Sequence, residues 1–150
     1  MTEPDPRAAF AAMTKALITE FRANGGHVTS GPFAGRPVLL LTTTGAKSGE
    51  RRLAPVVYSG DGDAYVIVAS KAGAPTHPAW YHNLLANPVV TVEVGRETFE
   101  ARARVTVGAE RDRLFAERVA TSPNFAEYQR RTTRVIPVVV LERLVTAVTR

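Results

Sequence analysis

The run "TTTGAKSGERR", residues 42 to 52, sets Lys47, Ser48, Arg51 and Arg52 in a glycine-bearing connection between the apolar runs "PVLLL" and "LAPVVY". Cations, a hydroxyl and turn backbone N–H groups gathered in one place are what an anionic oxygen needs. A phosphate-cradling P-loop requires glycine directly before the lysine and a second one five positions earlier. Those positions hold Ala46 and Leu41, so that motif is excluded. Two readings of the connection remain: an anion site in a strand-to-strand loop, or a solvated hairpin loop.

The second chemical constellation is "ASKAGAPTHPAWYHN". Ser70 and Lys71 fall where an apolar run ends, Gly73 permits close backbone approach, and a helix starts shortly after. On that helix Trp80, Asn83, Leu84 and Asn87 share a face, because steps of three and four residues return to the same side. An indole beside a carboxamide suits a flat heteroaromatic ligand; the alternative is a core tryptophan with a satisfied asparagine. Phe125 and Tyr128 stand near each other on a further short helical stretch, as a pocket wall or as packing.

Other chemistries fall away. The chain has no cysteine, so disulfides, thiolate catalysis and iron–sulfur ligation are excluded. His77 and His82 lack the spacing and context of a zinc helix, His27 stands alone, and no metal site is expected. Hydrolase signatures are missing around Ser70 and Lys71. The 150 residues carry a formal net charge of +5, which favours anionic partners. No aromatic RNA-binding pattern accompanies that charge, and nucleic acid is not expected as a partner.

The elements that must position these residues are short. Phe10, Met13, Leu17, Ile18 and Phe21 recur at helical spacing and predict an amphipathic helix over residues 7–22, packed on the domain or lying on a membrane surface. From residue 37 the pattern turns to β-like runs, with Phe99, Ala101, Ala103 and Val105 alternating against Glu100, Arg102 and Arg104. Such runs predict an antiparallel meander closing into a barrel. Helices are expected at "HPAWYHNLLAN" and over 109–120, the latter burying Leu114, Phe115 and Val119. The fold class is α+β with a β-barrel core, organised as a helix and linker over 1–30 and a barrel domain over 31–150. The opening residues do not form a convincing signal peptide and no apolar run approaches a spanning length, which leaves a soluble cytoplasmic protein as the expectation.

Taken in order, "LLLTTTGAKSGERRLAPVVY", "VIVASKAGAPTHPAWYHNLLANPVVTVEV" and "RVIPVVVLERL" resemble the deazaflavin-dependent nitroreductase family, split β-barrel oxidoreductases that use reduced coenzyme F420 and occur chiefly in actinobacteria. The resemblance implies that Lys47, Ser48 and Arg52, with Arg51 a weaker member, grip the phosphate and acidic tail of the coenzyme. It implies that Pro55, Ala69, Ser70 and Lys71 line the deazaflavin ring, that Trp80 and Asn83 hold it from the helix, and that Ser70 and Tyr128 orient the acceptor. Hydride transfer to a quinone, or to a nitroaromatic, is the implied reaction. The chain departs from well-known members at Val57, Ser122 and Phe125, where tyrosines are familiar, leaving Tyr128 of that wall. The alternatives are a non-catalytic carrier of coenzyme F420 or a fatty acid on the same barrel, and an FMN-dependent oxidoreductase. A monomer or weak homodimer is expected, with peripheral membrane contact through the N-terminal helix as a further expectation.

Overall fold

The computed structural model describes residues 5–31 and 33–144. Helix α1 spans Pro6–Ala23 and is followed by strands β1 (Val38–Thr44), β2 (Arg51–Asp61) and β3 (Ala64–Val68). A single 3-10 turn, Lys71–Gly73, leads to α2 (Ala79–Ala86), then to the hairpin β4 (Val89–Val94) and β5 (Glu97–Val105). Helices α3 (Gly108–Thr121) and α4 (Asn124–Arg130) precede the last strand, β6 (Val138–Arg143). Most of the acidic stretch "TEPDP" ahead of α1, namely Thr2, Glu3 and Pro4, lies outside the described residues.

The six strands close into an antiparallel barrel in the order β1-β2-β3-β6-β5-β4. The expected barrel is there, but it is not a simple meander, because β6 enters between β3 and β5. The reason lies in the helices. After β5 the chain builds α3 and α4, whose Leu114, Phe125 and Phe115 cover the outward residues Val66, Val68, Val138 and Val140 of β3 and β6. The final strand thus buries its two faces against different partners, as the continuous run "IPVVV" requires.

Side-chain alternation sorts the rest. Leu39, Leu41, Val56, Ile67, Val92, Ala101, Val139 and Leu141 fill the barrel, and Leu84 with Trp80 and Tyr81 packs on them from α2. The predicted β5 face is realised: Ala101 is buried and Phe99, Ala103 and Val105 pack on the same core, while Glu100, Arg102 and Arg104 are exposed. Outward Val38 and Leu40 of β1 receive Leu17 and Phe21 of α1 and Val28 of the following loop. The apolar stripe of α1 is therefore only half used, with Phe10 left 65% exposed. No helix among the described residues is long and apolar enough to cross a membrane.

Candidate functional site

The first site loop is shorter than its sequence suggests. Thr42–Thr44 extend β1 and Arg51–Arg52 begin β2, paired Thr43 to Arg52 and Thr44 to Arg51, so the true connection is residues 45–50. Gly45 donates its N–H to the Glu50 carbonyl at 2.7 Å and accepts from Gly49 at 3.0 Å, closing a tight turn. A Cβ at Gly45 would lie 2.5 Å from Ser48 Oγ, which is why glycine stands there. Ser48 Oγ in turn accepts the Glu50 N–H at 3.1 Å.

Lys47, Ser48, Arg51 and Arg52 are all exposed. Arg51 and Arg52 take different partners. Neighbouring strand residues project to opposite faces, and Arg51 is spent on Thr91 Oγ1 of β4 at 2.8 Å. Arg52 stays beside the loop, ion-paired with Glu50 at 3.1 Å and highly exposed, a contact of little energetic weight that a stronger anion would displace. Exposed Lys47 and Arg52, with the Ser48 hydroxyl, remain on and beside this loop.

Asn83 is 8% exposed. Its Oδ1 accepts the Ala46 N–H at 3.0 Å and its Nδ2 donates to Thr43 Oγ1 at 3.0 Å. The carboxamide thereby bolts α2 to the β1–β2 loop. Asn87 adds a weaker contact, donating to the Thr44 carbonyl at 3.4 Å. Trp80, one turn before Asn83, is half-buried and packs on the barrel core with part of its indole still accessible.

The second loop, between β3 and α2, is fixed through its backbone. Arg134, on the segment before β6, donates Nη1 to the Ala69 carbonyl at 3.1 Å, Nη2 to the Ser70 carbonyl at 2.7 Å and Nε to the Ala74 carbonyl at 2.9 Å. Its Nη1 also meets His77 Nδ1 at 3.0 Å. Burial, with the Arg134 charge and His82 adding to it, holds the His77 imidazole below its ordinary range, and a neutral ring nitrogen is what accepts from a guanidinium.

Held this way, the loop keeps a conformation that L-residues resist. Lys71 has φ 46° and Ala72 φ 54°, both left-handed. Ser70 before them is right-handed at φ −77° and ψ −40°. A right-handed residue followed by a left-handed one turns successive N–H groups toward one point, a nest for an electronegative atom. Gly73 follows at φ 80°, and a Cβ there would sit 2.7 Å from the Tyr128 carbonyl oxygen and 2.9 Å from Arg131 Cβ, so α4 lies directly on the loop.

Among the residues expected in this loop, Ala69 is 0% exposed and its backbone is bonded on both sides, to Pro137 and Arg134, so it positions the loop and offers no surface. Ser70 is buried at 9%, whereas Lys71 is exposed and reaches Thr76 Oγ1 at 3.1 Å. Pro55 is half-buried, paired with Leu40 on β1. Tyr128 is half-buried, edge-on to Phe125 at 5.4 Å, with its hydroxyl accepting from Asn124 Nδ2 at 2.8 Å. Arg134 was not singled out by sequence reasoning, and only its place in the run "RVIPVVV" hinted at it. No cluster of metal-ligating side chains occurs among the described residues.

A closed barrel carrying a cationic loop and a bolted, nest-forming loop, joined by one short helix, defines the split-barrel class. Residues 14–143 match the family described as F420H(2)-dependent quinone reductase. A Mycobacterium tuberculosis protein named F420H(2)-dependent quinone reductase is 42% identical over 126 residues, covering 82% of this chain and 85% of that protein. The solved structure of an F420-H2 dependent reductase is 44% identical, covers 71% of this chain and 95% of that one, and superposes with a TM-score of 0.66. Another, described as a domain-swapped dimer, is 37% identical with a TM-score of 0.68, covering 92% of this chain and 100% of that one. The chain belongs to the F420H(2)-dependent quinone reductase family, a family of oxidoreductases. These likenesses lend no support to the FMN alternative.

Proposed function

We propose that this protein binds reduced coenzyme F420 across its two site loops and uses it to reduce a quinone or related conjugated acceptor, nitroaromatics included. The observation that carries the reading is the division of labour about α2. Exposed Lys47, Ser48 and Arg52 offer an anion grip on and beside the loop that Asn83 of α2 bolts, and the Ser70–Lys71 nest lies on the loop that leads into α2, whose Trp80 is half-buried. A phosphodiester with an acidic tail fits the first group, and a flat ring with electronegative edge atoms fits the second.

When bound, the deazaflavin supplies the hydride. What the chain supplies is grip, orientation and shelter from water. Lys47 and Arg52 hold the anionic end, with Arg52 exchanging Glu50 for the ligand. Pro55, Ser70 and Lys71 lie against the ring, while Asn83, Ala69 and Arg134 act by holding the loops in place. Tyr128 and Ser70 orient the acceptor. All of these residues come from one chain, and we take the monomer as the working unit.

Titration of oxidised and reduced coenzyme, followed by oxidation of the reduced form with menadione, tests the reading. Lys47→Ala or Arg52→Ala should weaken coenzyme affinity at least roughly tenfold, since each charge-assisted contact is worth about 1.5–3 kcal/mol. An unchanged affinity in the double variant would remove the anion grip. Binding without turnover over a quinone panel would leave a coenzyme carrier in its place.

A further inference from the structure

The arginines of this protein differ in how their charge is met. Exposed Arg22, Arg104, Arg113, Arg130 and Arg143 are each ion-paired with a glutamate or aspartate. Arg134, half-buried, has its fork filled by three carbonyls and an imidazole. Arg118 of α3 is the most buried of all at 2% exposure, where a lone charge costs most, and it has no carboxylate partner among the described residues. Its Nη2 donates to the Val66 carbonyl at 2.8 Å and to Ser59 Oγ at 3.2 Å. Nη1, equally buried, has no hydrogen-bond partner.

A second cation stands close by. Arg36, in the segment before β1, donates Nη2 to Ser122 Oγ at 3.3 Å, a long bond to a neutral oxygen. Burial, and then the charge of Arg36, pull the Arg118 guanidinium down to about 10, so the two cations feel each other. Arg118 packs against rings: its guanidinium lies 5.1 Å from the centre of the buried Phe125 ring, and Phe125 meets Tyr128 edge-on.

We propose that Arg118 and Arg36 form an oxygen-binding subsite for the acceptor, one that takes a planar conjugated molecule bearing an anionic or strongly polarised carbonyl oxygen. The inference rests on the reductase reading above. Arg118 Nη1 supplies the donor already aimed and desolvated, and Arg36 turns from Ser122 to the same oxygen. The pair thereby selects the acceptor by its charge.

The test is calorimetric titration of lawsone, a hydroxynaphthoquinone ionised at neutral pH, and of menadione, its neutral analogue. Both are titrated into protein with and without oxidised coenzyme. The wild type should prefer lawsone by roughly tenfold or more, the worth of one charge-assisted contact. Arg118→Met should erase that preference while menadione affinity stays nearly level, and Arg118→Lys, which keeps the charge without the planar fork, should retain part of it. Arg36→Gln should lower the preference several-fold. No preference in the wild type, or an intact one in Arg118→Met that unfolds like the wild type, would overturn the subsite. If Arg118→Met does not fold, Arg36→Gln decides by the same criterion. Failure of the coenzyme itself to bind would sink the reductase reading instead, and the titrations without coenzyme keep the two failures apart.

Discussion

The two site loops are built on opposite principles. Residues 45–50 form a tight turn of exposed side chains tied to the barrel by the Asn83 carboxamide, and the ion pair within reach is the exposed Arg52–Glu50 contact. Residues 69–78 are pinned by Arg134 through three backbone carbonyls, with Gly73 pressed on α4 and two consecutive non-glycine residues left-handed. A grip on a charged tail needs sign and reach more than precision, because Coulomb forces fall slowly with distance. A ring that must present one carbon to an acceptor needs fixed geometry, and that is where strain and buried bonds are concentrated.

If this contrast is right, the largest response should come from the pin. Arg134→Ala leaves the carbonyls of Ala69, Ser70 and Ala74 without their donor, and should cost roughly 3 kcal/mol in denaturant unfolding together with most coenzyme binding. Arg52→Ala should leave unfolding unchanged while it weakens the coenzyme. A stable Arg134→Ala with wild-type affinity would break the comparison.

A smaller effect of opposite sign is expected at Ala72. Glycine there relieves the left-handed strain at φ 54°, partly offset by the freer unfolded chain, for a net gain of about 0.5–1 kcal/mol. Coenzyme affinity should hold, because Arg134 still fixes the loop. A fall in affinity would show that the alanine itself helps to set the conformation.

The smallest effect is the acid response of His77. Its folded imidazole titrates below the ordinary 6.5, so as pH falls through that value the unfolded chain takes up a proton that the fold refuses, and stability declines. Above it neither state is charged and nothing changes. His77→Gln should flatten the stability curve just below pH 6.5. The carboxylates of Glu20, Glu110 and Glu127, all held below 4.5 by hydrogen bonds, lose their contribution only as pH falls through that lower value, so the two windows separate.

Much of the fold was legible from local pattern. The β5 alternation, the helix within "HPAWYHNLLAN" and the helix expected over 109–120 each appear where periodicity puts them. The insertion of β6 between β3 and β5 was not, because strand order is a matter of which outward faces the helices cover. At the site, the residue types around Lys47 and Lys71 marked both loops. Strand pairing set Arg51 beside Thr91, and burial made Asn83 a bolt between α2 and the β1–β2 loop.

The sequence by itself determined the chemical inventory: no thiol chemistry, a surplus of cations, glycines where turns must close, and apolar periods that demand a barrel with helices on its outside. Only the tertiary structure decided which arginines work for the site. Arg134 is far in sequence from the carbonyls it holds, with contacts to Ala69 and Ala74 separated by 65 and 60 positions. Arg118 meets Val66 across 52. A guanidinium has the same donors wherever it sits, and its task is set by the acceptors that long-range strand pairing brings to it, which no local pattern records.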